Sequence, residues 1–173
     1  YNPLFFDDIY ETFKCYWEPF FKWAGGKDNL FFIFKGKSGK KQYDHPYLKS
    51  MLECIQKEKY IQDDSLDLNA VIDLLDVAVC TGNSSAIFAC LGKGKPCVSL
   101  DVLLNGYNFK RYSEYLVADN GEELVCKLEY IMKNGLSESV FNDFVADNSP
   151  SAENINNKPS ACIKKIIEDI LSD

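Results

Sequence analysis

LLDVAVCTGNSSAIFACLGKGKPCVSLD, residues Leu74–Asp101, decides the fold because it places two short apolar runs on either side of a helical pattern. The first run, Asp76–Cys80, ends abruptly at Thr-Gly-Asn-Ser-Ser, and the second, Pro96–Asp101, follows Gly-Lys. Short apolar runs bounded by turn residues are typical of buried strands, and the spacing within Ser84–Leu91 favours a helix. The stretch therefore predicts a strand, a helix and a second strand.

Strands and helices alternate along the rest of the chain as well. Several predicted strands are apolar on both faces, which is typical of a parallel sheet covered by helices on both sides. We therefore predict a doubly wound, Rossmann-like α/β domain with a parallel sheet. Further strands are predicted at Leu30–Lys35, Tyr60–Asp64 and Tyr115–Val117. Further helices are predicted at Asp7–Trp23 with a kink or break at Pro19 that would give two short helices, Pro46–Lys57, Ser65–Leu75 with a Ser65 cap, 119–135 with Gly135 at its end, and Ala161–Leu171.

The length of 173 residues fits a single domain. We divide it into an N-terminal helical segment (1–27), a sheet core (28–145), and a loop with a closing helix (146–173), with Ala146–Ser160 as the loop. The chain opens with YNPLFF and no initiator Met, and helix-like sequence begins almost at once. We therefore expect a piece of a longer protein, which would lack part of an active site.

Composition excludes several classes of function. The formal charge of -7 argues against the broad basic field of a nucleic-acid-binding domain. No apolar run approaches the length of a membrane helix, and no signal peptide is visible, so we predict a protein that is not transmembrane.

The seven cysteines favour reduced thiols of an intracellular protein over disulfides or a metal centre. Their number is odd, no C-x-x-C pair occurs, and His45 is the single histidine. A Cys/His zinc site is disfavoured because no cluster has the ligand spacing that such sites need. We therefore predict no metal.

The junction Thr81–Ser85 follows the predicted strand and opens the next helix. Ligands of open parallel sheets bind at the carboxyl ends of the strands, and a helix start attracts anions. Gly82 lets a ligand approach closely, and Ser84 and Ser85 add hydroxyl donors, so the junction could hold a phosphate or diphosphate. Helix capping alone also explains the same residues, and local chemistry by itself favours that interpretation. The spacing matches neither a P-loop nor G-x-G-x-x-G.

Several stretches together resemble a known family. These are FFIFKGK, DLNAVIDLLDVAVCTGNSS, GKPCVSLD, EYLVADNGEEL and ACIKKIIEDIL, which cover most of residues 28–173. In this order they are similar to the C-terminal half of GT-B glycosyltransferases of bacterial surface-carbohydrate and capsule synthesis. They resemble UDP-N-acetylglucosamine 2-epimerases more distantly.

The resemblance implies that this half binds the nucleotide of an activated sugar. Asn83, Ser84 and Ser85 match the phosphate-contact motif, and Lys35 and Lys37 match the basic end of the first strand. The nucleotide sugar would be a substrate, with no metal and no cofactor. The general base would come from an N-terminal acceptor-binding domain of the same protein, located in the cytoplasm at the inner face of the membrane.

One position departs from the family pattern. Many GT-B enzymes carry Glu four residues after the second serine, where it binds the ribose hydroxyls, and this chain has Ala89 there. Phe88 and Cys90 cannot replace a carboxylate. The ribose would therefore be recognised by another group, or the donor would be bound differently, or binding has been lost.

Other polar residues carry both a functional and a purely structural interpretation. Gly82, Asp64 and Asp101 are candidate sugar or base contacts, although Asp63–Asp64 could simply start a helix and Asp101 could open a surface loop. His45 is the candidate general base, without a visible carboxylate partner. The lysines near Lys37 could equally form a solvated loop.

Two further functions remain open. A 2-epimerase-like enzyme would need several acid–base groups near the sugar, and no persuasive set is visible. A non-catalytic α/β interaction module would keep the fold and bind a protein partner, which Ala89 favours. The dense aromatic residues of 5–23 are typical of a core, or of an interface in a fragment.

Overall fold

The structure is a computed structural model, and it describes residues 14, 16–35, 46–81, 84–100 and 109–148. The predicted helix at Ala161–Leu171 and most of the predicted loop before it lie outside these residues. The helices are α1 (16–25), α2 (Pro46–Leu52), α3 (Leu68–Leu74), α4 (Ala86–Gly92), α5 (Gly121–Asn134) and α6 (Glu138–Asn148). The strands are β1 (Phe32–Phe34), β2 (Tyr60–Gln62), β3 (Ala78–Thr81), β4 (Cys97–Leu100) and β5 (Val117–Ala118).

The described strands pair only in parallel, which confirms the predicted mixed α/β class. β1 pairs with β2, and β4 lies between β3 and β5. The hydrogen-bonded strands therefore form a two-stranded and a three-stranded sheet. In register, Phe34 lies beside Gln62 and Thr81 lies beside Leu100, so the carboxyl ends of paired strands are level with each other.

Two apolar layers enclose β4. Val98 and Leu100 belong to one layer with residues of α1, α2 and α5, whereas Cys97 belongs to the other with residues of α3, α4 and α6. All four residues of β4 are buried. This is the burial on both faces that the apolar run in the sequence predicted. Phe32 and Phe34 of β1 pack against the first layer. Val79 of β3 and Val77 just before it pack against the same layer, which links the two sheets.

The aromatic helix α1 belongs to the core. Phe20, Phe21 and Ala24 are buried, and Phe21 stacks on Phe34 of β1 with ring centroids 5.6 Å apart. Residues 16–25 are continuously helical, so Pro19 does not break α1 into two short helices.

Gly121 leaves room on α5 for the ring of Pro19. A Cβ atom at Gly121 would lie 2.9 Å from the ring atoms of Pro19, so the ring fits where α5 has no side chain.

Helix ends follow local chemistry, with one correction. Gly135 ends α5 with φ 70°, as predicted, and Asn120 caps its start by accepting from the backbone N–H of Glu123. The cap of α3 is Asp67, whose Oδ1 accepts from the N–H of Ala70 at 2.9 Å. The predicted Ser65 cap was wrong because that side chain bonds to Asp63 instead.

Two other predicted boundaries differ from the structure. The helix that begins at Pro46 ends at Leu52, where the N–H groups of Cys54 and Ile55 bond three residues back and tighten the chain into a turn. The helix α6 was not predicted, and the segment assigned to a loop from Ala146 is helical as far as Asn148. Its buried residues are Val140 and Phe144, one turn apart.

We expect Gly121→Ala and Gly25→Ala each to lower the free energy of unfolding by about 1–3 kcal/mol, as overpacking does. The added Cβ would lie 2.2 Å from the backbone oxygen of Tyr16 at position 121 and of Cys54 at position 25. Equilibrium unfolding in urea measures both changes. Gly26→Ala is the matched control, because its nearest neighbour would be 3.5 Å away. A change as small as that of the control would show that α1 does not pack as described.

Candidate functional site

The predicted phosphate contacts lie at the carboxyl end of β3. The strand ends at Thr81, α4 begins at Ala86, and Ser84 and Ser85 lie between them. The N–H of Ser84 bonds to the carbonyl of Thr81 at 3.2 Å, which turns the chain from the strand into the helix. The junction therefore has the strand–turn–helix geometry that the sequence predicted.

The two serines have different local roles. Oγ of Ser84 accepts from the N–H of Ala86 at 3.2 Å, so this half-buried hydroxyl supports the start of α4. Ser85 is exposed, and within the described part of the chain its side chain makes no capping hydrogen bond. Capping thus accounts for Ser84, whereas the hydroxyl of Ser85 faces solvent.

Lys35 extends from the carboxyl end of β1 toward β2. Its Nζ lies 3.3 Å from the backbone carbonyl oxygen of Asp64, and the N–H of Asp63 bonds to the carbonyl of Phe34 at 3.1 Å. The predicted residues Lys35 and Asp64 are therefore neighbours at the same end of paired strands. The charge of Lys35 also acts on the nearby carboxylate of Asp63. A cation and an anion at one edge suit a ligand with both phosphate and hydroxyl groups.

Asp63 is held by the residue two positions on. Its Oδ1 accepts from the Ser65 hydroxyl at 2.6 Å and from the Ser65 N–H at 2.8 Å. These bonds, with the side-chain bond the larger cause, hold the pKa of Asp63 below its usual value. Asp63 therefore stays ionised and is an acceptor in this turn.

A second charged pair follows β5. Lys110 Nζ and Asp119 Oδ2 are 2.8 Å apart, and both side chains are partly exposed. The N–H of Asp119 also donates to Glu123 Oε2 at 2.8 Å, so the first turn of α5 holds this residue in place. Asp119 was not singled out as a site residue, because its sequence signal, an acidic residue before a helix, is the ordinary one for a helix start.

Ala89 lies in α4 and packs against the apolar layer of α3, α4 and α6. A carboxylate at position 89 would therefore begin on a partly buried helix face. No other residue of α4 carries a carboxylate, so this helix has no substitute for the glutamate that the resemblance implies at position 89.

Five predicted site residues lie outside the described residues. They are Lys37, His45, Gly82, Asn83 and Asp101. Their roles stay predictions.

Three cysteines, on β3, β4 and α4, lie close together in the core. Sγ of Cys80 on β3 lies 3.7 Å from Sγ of Cys97 on β4, and Cys90 on α4 is also buried. Hydrogen bonding with Cys80 and Cys90, together with burial, raises the pKa of Cys97 well above the ordinary thiol value. Cys97 is therefore a protonated thiol. The three buried side chains pack as small apolar groups, and the five described cysteines are all free.

Comparisons with known proteins find no relative. No protein-family profile matches the chain, and neither a curated protein nor a solved structure is significantly similar to it. Among the described residues, no cluster of three or more His, Cys, Asp and Glu side chains could hold a metal ion. None of the described helices is both long and apolar enough to cross a membrane.

Replacing Ser84 and replacing Ser85 should change the free energy of unfolding by different amounts. We expect Ser84→Ala to lower the free energy of unfolding by about 0.5–1.5 kcal/mol, because the N–H of Ala86 loses its acceptor. Ser85→Ala should change it by less than about 0.5 kcal/mol, as at an ordinary surface position. Thermal unfolding of both variants measures the difference. Equal losses would contradict the assigned roles.

The pKa of Asp63 should depend on Ser65. In Ser65→Ala the hydroxyl bond is lost, so we expect the pKa of Asp63 to rise toward its usual value, as followed by carboxyl NMR titration. Because the folded pKa is lowered, the stabilisation from this bond is present above the unfolded pKa of Asp and is lost as pH falls through the folded value. An unchanged titration in the variant would show that the bond does not form in solution.

Proposed function

We propose that the chain is the nucleotide-sugar-binding domain of a GT-B-like glycosyltransferase for surface polysaccharide. In this proposal the donor diphosphate binds where strands β1 and β3 end. The observation that carries it is the exposed Ser85 hydroxyl beside Ser84, at the carboxyl end of a parallel strand and the start of α4. That is the position at which parallel α/β sheets bind their ligands.

The proposal combines the two small sheets into one doubly wound arrangement. β1 would lie beside β3, which is supported by the apolar layer that Phe34 and Val79 share. The strand order would then be β2-β1-β3-β4-β5, and the order reverses between β1 and β3. In sheets of this order the ligand binds in the crevice at that reversal.

Lys35 is the cation that this arrangement would bring toward the diphosphate. It follows β1 directly and is already oriented along the strand ends, 3.3 Å from the carbonyl oxygen of Asp64. A lysine at this place would neutralise a phosphate and stabilise the leaving diphosphate during transfer. Lys37 and Asn83, together with the close approach at Gly82, would complete the anion site.

The hydroxyl groups of the donor need an acceptor other than position 89. Asp64 follows β2, and Asp101 follows β4 in the sequence, so both would stand at the ligand edge. Carboxylates of this kind bind vicinal hydroxyls through charge-assisted hydrogen bonds. The proposal assigns ribose or sugar recognition to them.

Catalysis would need the acceptor-binding domain. GT-B transfer requires no bound metal, and the general base would come from the other half of the enzyme. His45 is the candidate within this chain. We therefore expect this chain to bind a nucleotide without transferring sugar, and we place the whole enzyme in the cytoplasm at the inner face of the membrane.

The alternative is a non-catalytic interaction module with the same fold. Ala89 favours it, because its methyl group packs in an apolar layer where the family pattern has a ribose-binding glutamate. Such a module would bind a protein partner and no nucleotide.

Calorimetric titration of the chain with UDP, CDP, GDP and CMP tests the proposal. We expect saturable binding of one nucleotide. Binding should weaken about 10- to 100-fold in Ser85→Ala, because a hydroxyl bond to a charged group contributes about 1.5–3 kcal/mol. Lys35→Gln should weaken the binding of diphosphates more than that of the monophosphate CMP.

Ser139→Ala is the matched control, since Ser139 lies in the first turn of α6 and its hydroxyl contacts only Ser137 among the described residues. Equal weakening by Ser139→Ala and Ser85→Ala would assign the loss to stability. An absence of binding by all four nucleotides would favour the interaction module.

A further inference from the structure

A carboxylate stands at the end of β5, level with the end of β3. Thr81 of β3 lies beside Leu100 of β4, and Leu100 lies beside Ala118 of β5. Asp119 directly follows Ala118. Neighbouring strands are about 4.8 Å apart, so the ends of β3 and β5 are about 10 Å apart along this edge. Asp119 therefore lies on the edge at which parallel sheets bind their ligands.

The cation that pairs with this carboxylate comes from a turn packed beside α4. The turn is the short 3₁₀ helix Phe109–Arg111, and Phe109 is buried. The ring of Phe109 and the ring of Phe88, in the first turn of α4, have centroids 5.3 Å apart. Lys110 is the next residue, so it approaches the strand ends on the same side of the sheet as Ser85.

Asp119 is held at both its side chain and its backbone. Nζ of Lys110 lies 3.0 Å from Oδ1 and 2.8 Å from Oδ2 of Asp119. The N–H of Asp119 donates to Oε2 of Glu123 at 2.8 Å, and Oε1 of Glu123 is 2.6 Å from Nζ of Lys127. Lys110 and Glu123 are thus positioning residues. The carboxylate is oriented before a ligand arrives, which reduces the entropic cost of binding.

The carboxylate of Asp119 has capacity for further hydrogen bonds. The side chain of Asp119 is 40% exposed and that of Lys110 is 48% exposed. An ionised carboxylate offers about four lone-pair sites, more than one ammonium group occupies. A ligand hydroxyl can donate to these oxygens, whereas a phosphate would be repelled by their charge. The position therefore suits the hydroxyl groups of a ligand rather than its phosphates.

We propose that Asp119 binds the ribose hydroxyls of the donor nucleotide, the role that Ala89 leaves open in this chain. The inference rests on the proposed function. In the strand order of that proposal, the edge carries Asp64 after β2, Lys35 after β1, Ser85 after β3 and Asp119 after β5. Sugar, diphosphate and ribose follow one another in the same order in a nucleotide sugar. Asp64 would then serve the sugar, and Asp119 the ribose.

Calorimetric titration with UDP, CDP and GDP, and with their 2′,3′-dideoxy forms, tests this assignment. Removing both hydroxyls should weaken binding about 10- to 100-fold, because hydrogen bonds to a charged group are lost. Asp119→Asn should weaken binding of the ribose form by a similar factor and leave the affinity for the dideoxy form nearly unchanged. A general loss of stability would weaken both forms equally, so the ratio of the two affinities identifies the role of Asp119.

The positioning role of Lys110 has its own readout. Lys110→Gln should lower the ratio of the two affinities, because the carboxylate loses the cation that orients it, and Lys110→Arg should restore the ratio. These variants keep the test valid if Asp119→Asn does not fold.

Asp147→Asn is the matched control. Asp147 is a similarly exposed aspartate of α6 whose Oδ2 lies 2.9 Å from Nη2 of Arg111, the residue next to Lys110. This variant removes an ion pair of the same turn and should leave the ratio unchanged. Equal affinity for the ribose and dideoxy forms in the unchanged chain, or a ratio that Asp119→Asn does not lower, would overturn the inference while the proposed function stands. An absence of binding by every nucleotide would overturn both.

Discussion

Complete burial of β4 is the constraint on which the rest of the structure depends. Its four residues have apolar layers on both faces, and its backbone pairs with β3 on one side and β5 on the other. A strand in this position has no water to hydrogen-bond its backbone, so both neighbouring strands must supply those partners. Both helix layers must also be present, because they cover its side chains. The buried thiol of Cys97 belongs to this constraint, since hydrogen bonding and low polarity keep it protonated.

Parallel pairing also places different kinds of side chain at the two ends of the strands. The carboxyl ends carry Lys35, Asp63, Ser84 and Asp119, which are polar residues held by turns and helix starts. By contrast, the apolar residues Leu91, Phe141 and Val145 lie with Glu138 and Asn142 between the last turn of α4 and α6. The polar side chains that strand ends and helix starts hold are therefore concentrated at the carboxyl ends. The distinction arises because each crossover from a strand to a helix places its first turn at the carboxyl end.

Local signals predicted some elements well and failed at others for identifiable reasons. Gly135 ends α5 as expected, because a left-handed glycine acts through its nearest neighbours. Ser65 was chosen over Asp67 as a cap because both are good cap residues, and only the turn at Asp63 decides which one is used. Helix α6 was missed because its apolar pairs, 140–141 and 144–145, stand among polar residues and beside a polar stretch. The packing of the Pro19 ring against α5 depends on Gly121, which is distant in sequence.

The sequence by itself determined the alternation of strands and helices, the parallel pairing and the place of Ser84 and Ser85 between a strand and a helix. Hydrophobic periodicity, helix caps and turn residues each depend on a few neighbouring positions, so the sequence alone indicates them. Only the tertiary structure decided that Ser84 supports the helix start while Ser85 faces solvent, that Lys35 meets Asp64, and that Ala89 packs among apolar side chains. These properties depend on which distant residues share a surface, and burial and pairing of distant segments are set by the whole packed domain.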